Sequence, residues 1–348
     1  MTGRGQRPAM KLGVQLANWR HGLPEIGSWL VSEAEAAGID SIWTSESYGG
    51  DAFTPLAWCA AQTSRLRLGA GIAAMPARTP AATAMTAMTL DYLSDGRLVL
   101  GLGVSGRRVA EGWHGVPYGK PLQRTAEYVT LLRQALARDE PLSFSGSYYS
   151  VPAAGGEAGL ISYLHPLRPA LPVYLAAQGP KNIALAAAIT DGLITGFFAP
   201  RASGYYAAAI AEGTGRRPAG ERARPFEVVA IADVVVADDT AAAASRLREK
   251  MAFYITRMGP PGSNYYYKTF ARLGYEAECE RALAAAAESG PAAAARQVTD
   301  PMVADVALIG PVPRILEVLR DWAASVVDTL VLRGSAADVA AVARAWLA

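Results

Sequence analysis

The chain has 348 residues, of which 51% are hydrophobic and 18% charged, and its formal net charge is +2. This length accommodates one α/β barrel with insertions, and the hydrophobic fraction supplies a large core. A net charge so close to zero argues against nucleic acid or an anionic membrane surface as a partner.

Strand and helix patterns alternate along the chain. Apolar runs rich in strand formers predict eight strands, at residues 11–17, 41–44, 66–74, 98–104, 173–176, 192–195, 226–236 and 329–332. Segments with helical spacing or high alanine content predict helices between them, at 23–38, 54–62, 80–93, 123–137, 182–189, 202–211, 240–258, 312–322 and 337–347. Eight strands in β/α order predict a closed (β/α)₈ barrel of the TIM type, formed by residues 10–348 as a single domain.

Two insertions interrupt this alternation. The first, near 142–169, contains Ser145-Gly146-Ser147, a predicted hairpin turn, followed by a loop rich in proline and glycine. The second, near 258–300, is predicted to form additional helices separated by Gly-Pro breaks. We expect substrate specificity to come from these segments, because loops on a shared barrel change substrates freely.

Cysteine and histidine usage gives no sign of a disulfide framework or a metal site. The two cysteines, Cys59 and Cys279, lie far apart, and the three histidines have no metal-ligand spacing. We expect no transmembrane helix, because the sequence has no sufficiently long apolar run. Residues 1–9 are polar, which predicts a disordered lead-in and not a signal peptide. These features together predict a cytoplasmic protein.

The glycines from Gly101 to Gly106 match the G-x-G-x-x-G spacing of dinucleotide-binding folds. The match lies in the fourth β/α unit, and no acidic residue ends a strand about 20 residues later, as such folds require. We therefore favour a strand end at the mouth of a barrel, where glycine lets the backbone approach a ligand.

Other strand ends also carry residues suited to a site, because barrel chemistry is built on the loops after the strands. Glu46 follows the second strand and is suited to be an acid, a hydrogen-bond anchor or a helix cap. Two interpretations apply to the strand that contains Gly71 and Ile72: a flat ligand lies against its backbone, or it is a bulged strand that packs against a helix. The turn at 176–182 opens a helix whose free N–H groups suit a phosphate, or is a plain turn.

An aromatic run, Tyr265-Tyr266-Tyr267, lies in the second insertion and is suited either to the wall of a planar substrate site or to helix packing. The sequence lacks the motifs of serine hydrolases, zinc metalloproteases and P-loop proteins.

Three segments together resemble the luciferase-like monooxygenase superfamily: residues 77–80 (ARTP), 84–97 (AMTAMTLDYLSDGR) and 100–106 (LGLGVSG). Residues 111–128 (EGWHGVPYGKPLQRTAEY) are similar to the branch that uses coenzyme F420 and includes methylenetetrahydromethanopterin reductase-like proteins. The resemblance extends over nearly the whole chain, from Lys11 to Leu332.

This resemblance implies a homodimeric barrel whose cofactor ring lies at the mouth, over a bulge in the third strand with a cis Gly71–Ile72 bond. Ser47 stands where the sugar-phosphate branch of the family has histidine, and Arg107-Arg108 stand where many relatives have Pro-Gln. The implied cofactor contacts are Ser47, Gly71, Ile72, Ser105, Gly106, Ala176, Ala177, Gln178 and Gly179.

The function that the resemblance implies is an F420-dependent oxidoreductase acting on a small-molecule substrate. Hydride would pass between C5 of the deazaflavin and a carbon of a C=C or C=N bond, which also needs a proton donor. Glu46, Tyr48 and His114 are the candidate donors, in that order. The alternatives are an FMN-dependent monooxygenase on the same barrel and a cofactor-binding protein without turnover.

Overall fold

The structure, a computed structural model, describes residues 10–16 and 33–348. Most of its strands are short and buried, in agreement with the apolar runs of the sequence. In chain order the strands are β1 (Lys11–Gln15), β2 (Ser41–Thr44), β3 (Arg67–Ala70), β4 (Ala73–Ala74), β5 (Leu98–Gly103), β6 (Phe144–Ser145), β7 (Ser150–Val151), β8 (Val173–Ala176), β9 (Gly192–Gly196), β10 (Glu227–Val236), β11 (Ala307–Gly310) and β12 (Thr329–Arg333).

Helices follow most of the strands and surround the sheet. They are α1 (Phe53–Ala60), α2 (Pro80–Leu93), α3 (Arg107–Gly112), α4 (Pro121–Ala137), α5 (Pro180–Ile189), α6 (Ser203–Gly215), α7 (Thr240–Arg257), α8 (Tyr265–Arg272), α9 (Glu276–Ser289), α10 (Pro291–Ala295), α11 (Asp300–Val306), α12 (Val312–Ala324) and α13 (Ala336–Leu347). Within the described ranges, none of these helices combines the length and apolarity that crossing a membrane requires.

The predicted (β/α)₈ barrel is confirmed. Parallel pairing runs in the order β1-β2-β3-β5-β8-β9-β10-β12, and β12 pairs with β1 to close the sheet. The third strand position is divided between β3 and β4, and the Gly71–Ile72 peptide bond between them is cis. The bulge that the resemblance implied is therefore present.

One strand was not predicted from the sequence. β11 pairs with the last four residues of β10, a strand of ten residues whose C-terminal end extends beyond its pairing with the other barrel strands. The four residues of β11 follow α11 without a loop, so no turn signal separates the strand from the helix.

The two insertions have the predicted character. β6 and β7 form an antiparallel hairpin around Ser145-Gly146-Ser147, and residues 258–300 contain α8, α9 and α10. The lead-in predicted at 1–9 lies outside the described residues. Of the helix predicted at 23–38, only residues 33–38 are described, and they form turns.

The barrel interior is filled around Trp43, whose indole is fully buried. The two neighbouring strands make room for it with glycine: a Cβ on Gly69 would lie 2.2 Å from the Trp43 ring, and one on Gly13 would lie 2.9 Å from Nε1. The barrel interior around Trp43 is therefore close-packed with side chains. The other interior side chains are Val99, Tyr174, Ile194, Val229, Ile231 and Val331.

The segment 84–97, which carries much of the resemblance, has an architectural role. Arg97 donates hydrogen bonds to the carbonyl oxygens of Ala60, Thr63, Leu66 and Ser94, which fixes α1 and α2 against the sheet. Asp91 forms a bidentate pair with Arg168 of the first insertion, at 2.9 and 2.7 Å.

An ion-pair network holds the N-terminal end of the barrel. Arg67 at the start of β3 bonds both oxygens of Glu227 at the start of β10, at 3.0 and 2.9 Å, and also pairs with Asp40. Tyr174 and Thr329 each donate a hydroxyl to Glu227, at 2.6 Å. Burial opposes ionisation of Glu227, but Arg67 and these hydroxyls outweigh it and lower its pKa to about 2.

We expect Glu227→Gln to lower the free energy of unfolding by about 3 kcal/mol at pH 7. A carboxyl whose pKa is depressed by folding stabilises the protein above its unfolded-state pKa of 4.5, and this contribution is lost as pH falls toward about 2. Urea denaturation of wild type and variant at decreasing pH should therefore give converging free energies. Glu221→Gln, at an exposed side chain near Arg224, is the control that should have little effect. A difference that stays constant as pH falls would contradict a charge-based origin.

Candidate active site

A cavity of about 360 Å³ lies at the C-terminal ends of the barrel strands. Loops after parallel strands meet at this end, which is where barrel enzymes place their chemistry. The lining contains residues that end or directly follow most of the barrel strands. It also contains side chains of α7 and of α8, and α8 lies in the second insertion.

Eight of the nine predicted cofactor contacts line this cavity; their role as ligands stays a prediction. Gly179 is the exception: it precedes α5 and does not reach the lining. The eight are Ser47, Gly71, Ile72, Ser105, Gly106, Ala176, Ala177 and Gln178.

The cavity walls fit a flat cofactor that lies close to the backbone. Gly106 and Gly196 both line the cavity, and a Cβ built on either would meet no atom within 4 Å. Space therefore remains beside these two backbone positions. The cis bond at Gly71–Ile72 lies in the lining as well, and Ser105 adopts a left-handed conformation with φ of 59°.

The loop after β8 is held in one arrangement by Gln178. Its amide nitrogen donates to the Gly196 carbonyl at 2.9 Å, and its carbonyl side-chain oxygen accepts from Thr269 of α8 at 3.3 Å. Asn182 in the first turn of α5 also lines the cavity and donates to the Ala176 carbonyl at 2.9 Å. The loop therefore presents a preorganised surface of backbone and amide groups.

Aromatic side chains form one wall, so both interpretations of the tyrosine run apply to different residues. Tyr265 and Tyr266 line the cavity, whereas Tyr267 packs into the core around α7 to α11. Tyr254 of α7 contacts Tyr266 with ring centroids 4.5 Å apart. Burial raises the pKa of both Tyr254 and Tyr266, so these rings stay neutral.

The strongest electrostatic feature of the cavity comes from residues that the sequence analysis missed. Asp233 of β10 accepts from Lys250 Nζ at 2.6 and 2.9 Å and from Arg333 Nε and Nη2 at 2.7 and 2.9 Å. Lys250, Arg333 and Gln15 line the cavity, and Arg333 donates to Gln15 at 3.4 Å. Two cations share one carboxylate, so the cluster carries one surplus positive charge.

One sequence signal was available for this cluster. Asp233 is a carboxylate in the middle of the apolar strand AIADVVV, and a buried charge requires partners. Lys250 is one of many charged residues on an amphipathic helix and carries no such signal.

Within the described ranges, the three predicted proton donors lie outside the cavity lining. Tyr48 is 54% exposed and contacts Trp113. His114 follows α3, and its buried Nε2 has no hydrogen-bond partner among the described residues. This geometry does not favour either of them as a donor to a ligand in the cavity.

Glu46, the first of the three, is bound to protein groups. Its carboxylate forms a bidentate pair with Arg78 at 2.7 and 3.0 Å and accepts from the Ala74 N–H at 2.6 Å. The Glu46 N–H donates to the Ile72 carbonyl at 3.0 Å. Of the roles considered from the sequence, the structure favours the hydrogen-bond anchor, because these contacts tie the loop after β2 to both sides of the bulge.

Enzymes built on a closed α/β barrel place their sites at this end, and the backbone walls of this cavity suit a planar cofactor. Residues 28–329 match the model of the luciferase-like monooxygenase family, and the chain belongs to that family.

Some of the proteins that the chain resembles are named for coenzyme F420 or for a reductase. A protein of Mycobacterium tuberculosis, whose name assigns it provisionally to the coenzyme F420-dependent oxidoreductases, is 41% identical over 94% of this chain and 96% of its own. The 5,10-methylenetetrahydromethanopterin reductase of Archaeoglobus fulgidus is 30% identical over 67% of each chain. The solved structure of the F420-dependent tetrahydromethanopterin reductase from Methanopyrus kandleri has a TM-score of 0.75 at 20% identity, covering 96% of this chain and 97% of its own, and supports the fold.

Proposed function

We propose that the protein is a coenzyme F420-dependent reductase that transfers a hydride to a C=C or C=N bond of a small organic substrate. The coarser part of this proposal, an oxidoreductase that uses F420, is supported by the relative that is 41% identical across almost the whole chain. The observation that carries the proposal is the cavity itself, which eight of the predicted cofactor contacts line at the bulge of the third strand.

In this proposal the chain binds and orients the cofactor through backbone groups. Gly71 and Ile72 support one side of the planar ring, and the loops at Ser105-Gly106 and 176–178 receive the remainder of the molecule. The bound deazaflavin supplies the hydride chemistry at its C5 atom. The wall formed by Tyr254 and Tyr266 excludes water and leaves the substrate a place opposite the bulge.

The experiment that tests the cofactor is a parallel titration of purified protein with F420 and FMN, followed by fluorescence quenching. We expect F420 to bind at least about 10-fold more tightly, a difference of about 1.4 kcal/mol. A preference for FMN, with oxygen consumed during turnover, would instead support a flavin monooxygenase. Binding of F420 without hydride transfer to a panel of enones and imines would support a protein that has lost turnover.

We expect Gly196→Val to weaken F420 binding by at least about 10-fold, because its side chain would extend into open space within the cavity and not into protein atoms. The same substitution at Gly220, also in open space but at the opposite end of the barrel, is the matched control. Titration with F420 measures affinity, and thermal unfolding checks that both variants fold. Equal affinity in wild type and Gly196→Val would place the cofactor elsewhere.

We also propose that the enzyme is a cytoplasmic homodimer, as the family resemblance implies. Helix α2 supports a dimer because it exposes Met85 and Leu93, each to 62%, and Tyr92 to 44%. Light scattering in solution would test this by giving the mass of one or two chains.

A further inference from the structure

Lys250 is a titratable group in the cavity that the proposed cofactor contacts do not use. It projects from α7 to the end of β10, where Asp233 binds its ammonium group, and it lines the same cavity as Gly71 and Ile72. An ammonium group has three donors. Asp233 engages Nζ through both oxygens, and no other acceptor among the described residues binds Nζ, so a donor remains for a ligand in the cavity.

The neighbours of Lys250 are unsuited to give up a proton near neutral pH. Burial opposes ionisation of Asp233, but Arg333 and Lys250 outweigh it and lower the pKa to about 2, so this carboxylate holds no proton. Arg333 remains charged throughout. The raised pKa values of Tyr254 and Tyr266 keep their hydroxyl protons in place.

Lys250 itself titrates close to neutrality. Burial has the largest influence on the pKa of Lys250 and lowers it, and the positive charge of Arg333 lowers it further. Asp233 acts in the opposite direction, and the net effect lowers the pKa to about 8. A general acid is most effective when its pKa lies near the working pH, and lysines are tuned in this way by burial and neighbouring charge.

The groups around Lys250 come from several elements. Asp233 of β10 and Arg333 of β12 are the charged groups that act on its pKa, and Tyr254 and Tyr266 are the titratable groups of α7 and α8 beside the cluster. Helices α9, α10 and α11 and strand β11 also pack against α7. On that side an ion pair joins Arg248 of α7 to Asp300 of α11.

We propose that Lys250 is the proton donor of the reduction, positioned by Asp233; this inference rests on the proposed function. The hydride, which the C5–H bond of reduced F420 would supply as that cofactor is oxidised, forms the new C–H bond at the electrophilic carbon, and the π electrons move to the second atom of the double bond. That atom takes a proton from Nζ, the N–H bonding electrons stay on Nζ, and the resulting amine regains a proton from solvent.

The first test measures Lys250 directly and does not depend on turnover. The chain has five lysines: Lys11, Lys120, Lys181, Lys250 and Lys268. Labelling with lysine that carries ¹³C at Cε leaves the ammonium group intact and gives few NMR signals, and the signal missing in Lys250→Arg identifies Lys250. We expect it to titrate with a midpoint of about 8, against about 10.4 for an unperturbed lysine. A midpoint near the unperturbed value would overturn the proposal.

The second test distinguishes proton donation by Lys250 from an effect of its positive charge. Lys250→Arg keeps the charge but holds its proton too tightly to donate it. We expect it to bind F420 as wild type does, while kcat for oxidation of reduced F420 by cyclohexenone falls by at least about 100-fold and the loss of rate above pH 8 disappears. Lys268→Arg is the control, because the Lys268 side chain is exposed and its ammonium group donates to the Gly262 carbonyl.

The two proposals fail in different ways. Absence of F420 binding by wild type would overturn the proposed function. Normal F420 binding, with Lys250→Arg as active as wild type, would overturn the donor role alone and leave Lys250 as a fixed charge.

Discussion

Replacing Gly101 by alanine should destabilise the barrel by at least about 3 kcal/mol, the upper end for overpacking a core. A Cβ at this position would lie 2.0 Å from the Ala70 carbonyl oxygen and 2.4 Å from Ile194 Cδ1. Because the closer atom is backbone, β3 and β5 would have to separate, and these strands flank the bulge at Gly71. We expect loss of F420 binding together with the loss of stability, measured by urea denaturation and by titration.

Two other glycines give a graded comparison for this prediction. At Gly103 the clashing atoms belong to the Ile72 side chain, at 2.8 Å, which can move, so Gly103→Ala should cost less. Gly220→Ala meets no atom within 4 Å and should unfold as wild type does. Gly101→Ala with unchanged stability would mean that the strands can adjust to the added methyl group.

The same contacts explain the G-x-G-x-x-G spacing. In dinucleotide-binding folds these glycines approach a pyrophosphate. Here Gly101 faces the barrel interior and permits close packing of neighbouring strands, and only Gly103 and Gly106 line the cavity. The spacing thus arises because the start of this segment packs in the barrel interior, while its end reaches the cavity.

The fold was predictable from the sequence because its signals are local. Most barrel strands are short apolar runs, and the number and order of the strands indicate closure. The meeting of the loops after the strands at one end of the barrel was predictable for a related reason, since closure brings the C-terminal ends of all strands together; the role of these loops as cofactor ligands stays a prediction. β11 was missed because it pairs with the end of β10 and is not one of the eight barrel strands, and because no loop separates it from α11.

The charged cluster of the site was not predictable from local pattern, apart from the signal given by a carboxylate at Asp233 inside an apolar strand. Asp233, Lys250 and Arg333 come from β10, α7 and β12, and only the fold shows that they form one cluster, of which Lys250 and Arg333 line the cavity. Glu46 was predicted to be the leading proton donor because it follows a strand, but its partner Arg78 lies 32 residues further along the chain. A carboxylate after a barrel strand therefore identifies the mouth of the barrel without identifying the role of the residue.

The role of Glu46 can be decided by separating stability from turnover. We expect Glu46→Gln to lower the free energy of unfolding by about 2–3 kcal/mol, somewhat less than for a fully buried pair, because Arg78 retains partial exposure and glutamine can still accept from Ala74. Arg78→Met should cost a similar amount, and the double variant should cost less than the sum by at least about 1 kcal/mol, since both changes remove one interaction.

Kinetics then distinguish an anchor from an acid. If Glu46 is an anchor, Glu46→Gln should bind F420 less tightly at a temperature where the variant is folded, because the bulge at Gly71–Ile72 is held less firmly. The pH dependence of kcat should stay as in wild type, because the proton donor is still present. If instead the variant is as stable as wild type and kcat falls by about 100-fold or more, the carboxyl reaches the substrate during turnover. The pair with Arg78 would then have to open in every catalytic cycle, and Arg78→Met, by freeing the carboxyl, should raise kcat.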